Sequence, residues 1–226
     1  MKQERGNILF LILLAIILFV ALNYAVMNGF RNGTPDGIPK EKAASVAALL
    51  MQNSSMIEQQ IMRARTVDDI PEWGFDFRGS NSLSTANATC TVAACKIFST
   101  YGGSIASIQP PDWAIQQPVP YGTIANFRIV QIVNVGTPAP ELVVAYHHLR
   151  KEVCDAINGA LGLPSATNPP EYYSGTMTVM YSGLMTSFPT TDQVLGEENT
   201  SLAGKSSFCF YHPTAGYVFI HTLIAR

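Results

Sequence analysis

From Ile8 to Met27, twenty positions are interrupted only by Asn23 and carry no charge. A helix of that length is about 30 Å long, which matches a bilayer's hydrocarbon core. The run stops at Asn28–Pro39, where three glycines and two prolines fall within twelve residues and break any continuous helix. From Lys40 to Thr66 the periodicity returns. Ala43, Val46, Ala47, Leu50, Ile57, Ile61 and Ala64 recur at three- and four-residue spacing, with Asn53 and Ser54 filling one turn, which predicts a helix lying on a sheet.

Residues 67–123 are rich in Gly, Pro, Ser and Thr, and only Thr91–Phe98 reads as a strand or hairpin arm. Ile124–Val135 is the clearest strand. Phe127, Ile129, Val133 and Val135 lie on one face and Val130 and Ile132 on the other, as in a strand covered on both sides. Thr137-Pro138 then has the form of a helix start, with Leu142, Tyr146, Leu149, Val153, Ala156 and Ala160 as a buried stripe and Gly159 or Gly162 as the stop. Thr176–Tyr181, Ser206–Tyr211 and Gly216–Ile224 read as strands, the last two forming a hairpin around His212-Pro213-Thr214-Ala215. The expected class is α+β: an N-terminal transmembrane helix, then amphipathic helices packed on a mostly antiparallel C-terminal sheet.

Composition adds a compartment. Lys2 and Arg5 precede the apolar run, and by the positive-inside rule they keep that end cytoplasmic, so the remainder is exported. Expected localisation is therefore the bacterial inner membrane, single-pass, with the C-terminal domain periplasmic or extracellular. Cys90, Cys95, Cys154 and Cys209 are an even set suited to an oxidising compartment. Cys90 and Cys95 enclose only four residues and pair readily, which leaves Cys154–Cys209 to tie a helix to the last strands. Charged residues make up 13% of the chain, and its net charge is −2. A weakly acidic domain lacks the Lys and Arg excess that nucleic-acid binding needs, so no nucleic-acid partner is expected.

The opening Lys2-Gln3-Glu4-Arg5-Gly6, directly abutting the apolar run, resembles the leader of the type IV pilin and pseudopilin superfamily. That resemblance implies cleavage after Gly6, with Asn7 as the first mature residue, and a pilin-like architecture. It implies four segments: leader 1–6, transmembrane/assembly helix 7–27, hinge linker 28–39 and exported α+β domain 40–226. Leu11 stands at the fifth mature position, where most of the superfamily carries Glu. In that respect the chain resembles a minor, tip-capping pseudopilin more than a shaft subunit. The chain is also similar to a group of pseudopilin-like bacterial proteins in its Arg5-Gly6-Asn7-Ile8-Leu9-Phe10 start, its Val153-Cys154 to Leu161-Gly162 helix end and its Leu223-Ile224-Ala225-Arg226 run.

Chemical motifs are sparse. Ala203-Gly204-Lys205-Ser206 lacks the earlier glycine of a phosphate loop, since Asn199 stands there. His147 and His148, with Glu152, would share a helix but diverge by about 100° around it. Asp192, Glu197 and Glu198 form a late acidic loop, the nearest candidate for calcium. Asp68, Asp69, Glu72 and Asp76 form another acidic stretch, read as an exposed turn, and Trp73, Trp113, Tyr121, Tyr172 and Tyr173 are candidate surface aromatics. No Gly-x-Ser-x-Gly occurs. The expectation is a non-enzymatic chain with no cofactor, metal or identified small-molecule substrate. It would work as a minor pseudopilin or pilus-associated subunit, with the inner membrane and other pilin-like subunits as partners. The alternative is a membrane-anchored periplasmic or extracellular binding or adhesion domain that does not assemble.

Overall fold

The structure is a computed structural model describing residues 14, 16–19, 37–79, 86–116, 125–164, 181–183, 194–196 and 201–226. The chain divides into two compact units, Met1–Lys40 and Glu41–Arg226. In the first, Leu14 and Ile16–Phe19 are helical and exposed.

The expected transmembrane helix is corrected by this structure: among the described residues, no helix is long and apolar enough to cross a membrane. Helix α1, Lys40–Val67, has the length, but Lys40, Glu41, Lys42, Glu58, Arg63 and Arg65 make it too charged for hydrocarbon. The α+β assignment holds for the second unit.

Helix α1 buries Ala43, Val46, Ala47, Leu50, Asn53, Ser54, Ile57, Ile61 and Ala64, the stripe predicted from spacing. It ends where Asp69 adopts a positive φ of 53° and Pro71 follows. Among the described residues the sheet has five strands: β1 (Ala125–Ile132), β2 (Glu141–Leu149), β3 (Val194–Leu195), β4 (Ser207–His212) and β5 (Gly216–Ile224), in the order β3-β1-β2-β5-β4. Every pairing is antiparallel except β1 with β3. A second helix, α2 (Lys151–Ala160), follows β2.

One helix prediction fails in an instructive way. Glu141–Leu149 forms the central strand β2, not the first half of a helix. Its apolar run fits either period, and the arbiter is tertiary: β1 and β5 pair with its two edges, and both of its faces are buried against the packing layers. The Thr91–Phe98 arm likewise forms one 3-10 turn, Ala93–Cys95, and isolated bridges at Lys96 and Phe98 in place of a strand.

Side chains alternate across the sheet. On one face Val130, Val143, Ala145, Phe208, Phe210, Val218 and Ile220 pack with Leu163, Leu195 and Leu202. On the other, Phe127 stacks on Phe77 at 3.9 Å, Tyr146 stacks on Phe219 at 6.0 Å, and the Tyr146 hydroxyl donates to Asn53 Oδ1 of α1 at 2.8 Å. Thus α1 lies on this second face.

Candidate functional site

The β4–β5 hairpin turns at Pro213–Ala215, and its register sets Ser207 opposite His221. Directly opposed residues send their side chains to the same face. Here that is the face under α1, and Glu58 of α1 meets them there. Ser207 Oγ lies 2.6 Å from His221 Nδ1, and His221 Nε2 lies 2.9 Å from Glu58 Oε2. Three elements thus place a hydroxyl, an imidazole and a carboxylate in one hydrogen-bonded line.

The chemistry of the groups fixes the proton positions. An ionised carboxylate only accepts, so Nε2 carries the proton and donates to Glu58. In the neutral ring Nδ1 is then an acceptor, and the Ser207 hydroxyl donates to it. Its surroundings favour the neutral ring. Burial lowers the His221 pKa, and the Glu58 hydrogen bond and charge only partly oppose this. His221 has an 11% exposed side chain against 43% for Glu58, so the line runs from a half-buried serine outward to solvent. A hydroxyl donating to a neutral imidazole that a carboxylate orients is the arrangement of a serine poised for general-base activation. The cavity of about 440 Å³ lined by residues such as Gln131, Asn134, Thr137 and Val194 contains none of the three.

Other polar groups are buried as structure. Glu141 is fully buried, and its Oε2 accepts from the Ile132 N–H at 2.9 Å. Burial pushes its carboxyl up to about 7. Burial also lowers Arg128 to about 10 and holds His147 well below its ordinary value, with Arg128, His148 and His212 adding to the effect on His147.

The histidine pair is corrected by the strand: His147 and His148 sit on β2, not on a helix, and His148 takes a positive φ of 56° at the register shift of β2 against β5. Among the described residues, no group of three or more His, Cys, Asp and Glu is placed to hold a metal ion. The acidic stretch does not behave as one exposed turn. Asp76 is buried and pairs with Arg78 at 2.6 Å, whereas Glu72 bridges Arg65 at 2.9 Å and Arg226 at 3.1 Å. Trp73 and Trp113 are exposed, and Lys42 Nζ lies 5.6 Å above the Trp113 ring. Arg5, Gly6, Asn7, Leu11, Tyr121, Tyr172, Tyr173, Asp192, Glu197 and Glu198 lie outside the described residues.

Both disulfides, Cys90–Cys95 and Cys154–Cys209, are present as expected. The helix-end motif acquires a physical meaning from the second. Cys154 bonds to Cys209 of β4, while the Asn158 carboxamide both donates to and accepts from the Cys209 backbone. The Leu223–Arg226 run closes the sheet: Ile224 pairs with Leu142, and the Arg226 carbonyl accepts from the Thr137 N–H. No family model, curated protein or solved structure matches the chain.

Proposed function

We propose that this chain is an exported minor subunit, or an accessory subunit, of a type IV pilus-like or type II secretion-like assembly, acting through contacts with other subunits. The observation that carries the reading is Arg5-Gly6 set directly against an uncharged run, with Leu11 where a shaft subunit would have Glu. A subunit's N-terminal ammonium in an apolar assembly needs an anionic partner, and Leu11 offers none to a stacked copy of the chain. A Glu-bearing neighbour does offer one, so the chain joins mixed assemblies and does not build a shaft of itself. Two disulfides suit an exported protein in an oxidising compartment.

N-terminal sequencing of the protein purified from its native cells tests this. Asn7 as the first residue is expected. An intact Met1, or a start near Ala25, would remove the basis for the reading.

A further inference from the structure

We propose that Ser207 is a nucleophile, with His221 as its general base and Glu58 as the group that orients the base, and that it accepts acyl groups from small activated esters. The inference is independent of the proposed assembly role. It rests on the unbroken line Ser207 Oγ–His221 Nδ1 at 2.6 Å and His221 Nε2–Glu58 Oε2 at 2.9 Å. Nucleophile within hydrogen-bond reach of base, and base held by a third group, is the geometry that activates a hydroxyl.

The surroundings suit the chemistry. Ser207 begins β4, the outermost strand among the described residues, and is itself part-exposed. Asn158 engages both the N–H and the C=O of Cys209 from outside the sheet. Backbone direction alternates along an antiparallel strand, so two residues earlier the Ser207 N–H points the same way, away from β5. That N–H is placed beside its own Oγ as a donor to the oxygen of a tetrahedral intermediate. In the step itself Ser207 Oγ bonds to the acyl carbon as its proton passes to His221 Nδ1, and the ester's alcohol leaves with the electrons of the broken C–O bond and takes that proton back from His221, which is neutral again. Water then attacks the acyl-serine with the same base. The serine is regenerated and the acid released.

The test uses the full purified chain and 4-nitrophenyl acetate, reading nitrophenolate release and the acetylated residue by peptide mass spectrometry. Ser206, the adjacent serine outside the relay, is the internal reference. General-base help is worth about 100-fold or more, so acetyl is expected on Ser207 over Ser206 by at least that ratio. Ser207→Ala should abolish the label, and Glu58→Gln, at a part-exposed position, should slow acylation about tenfold. The rate for the wild-type protein should fall at low pH as His221 takes a proton, a dependence that a merely structural hydrogen bond would not impose. Circular dichroism confirms that each variant is folded. Should His221→Gln fail to fold, Glu58→Gln and the pH profile still decide the question. Ser207 left unmodified in the folded protein, label equal on both serines, or a rate indifferent to Glu58→Gln and to pH would each overturn the proposal.

Discussion

Asn158 and Cys209 are joined by two hydrogen bonds of 2.9 Å each, Nδ2 to the Cys209 carbonyl and the Cys209 N–H to Oδ1. Among the described residues β4 is the outermost strand, and a side-chain amide stands in there for a further strand's hydrogen bonds. The disulfide from Cys154, one helical turn earlier, holds it in place.

Asn158→Ala should therefore cost far more than an average polar truncation. It strands a buried donor and a buried acceptor together, and each such loss is worth about 1–3 kcal/mol, so about 2–5 kcal/mol is expected. Asn158→Asp should cost at least as much at neutral pH, because its carboxylate meets the Cys209 carbonyl with no proton to give. Urea unfolding measures both. A loss below about 1 kcal/mol for Asn158→Ala would show that the amide pair contributes little.

The two disulfides should differ in worth. Cys154–Cys209 closes a separation of 55 residues and Cys90–Cys95 one of 5. Loop-closure entropy assigns about 4 kcal/mol to the first and about 2 kcal/mol to the second. Paired Cys→Ser variants, compared by thermal unfolding without reductant, should keep that order. A Cys90/Cys95 double variant less stable than the Cys154/Cys209 one would reverse it.

Glu141 and His147 should impose opposite pH dependences. The Glu141 carboxyl is raised from 4.5 to about 7 by burial. Across that window the folded chain holds a proton that the unfolded chain has released, so stability falls as pH rises. His147 is held well below 6.5. The unfolded chain therefore takes that proton first as pH drops under 6.5, and stability falls with falling pH. Just below pH 6.5 the two effects oppose each other. Glu141→Gln removes one of them, so its stability relative to the wild-type protein should climb by about 1.4 kcal/mol per pH unit from pH 5 to pH 6.5. Urea midpoints at three pH values are enough, and a pH-independent difference would contradict the burial of a protonated Glu141.

Much of this was legible in the chain, and the parts that were not share a cause. The α1 stripe from Ala43 to Ala64 and the hairpin around Pro213 follow from local spacing, because one face or one turn decides them. Counting outward from the His212–Gly216 pair even sets Ser207 opposite His221. What no spacing supplies is Glu58, which is 163 positions from His221 and is brought there only by packing α1 on the sheet. The strand at Glu141–Leu149 was hidden in the same way. Leu142, Tyr146 and Leu149 satisfy a helical period, and only neighbours on both sides make the segment a central strand. The span expected over 7–27 fails on a different ground: among the described residues no helix is long and apolar enough to cross a membrane.

The polar contacts of α1 have a mechanical consequence. Asn53 is tied to Tyr146 and Glu58 to His221, on the two adjacent central strands β2 and β5. Five residues separate the two ties, about 7.5 Å along the axis. A pull along the helix would load both ties and the apolar stripe at once, in shear, so the helix could not slip by one turn without breaking every one of them together. The helix is in effect keyed to the sheet. A load on the helix would therefore pass at once into both β2 and β5.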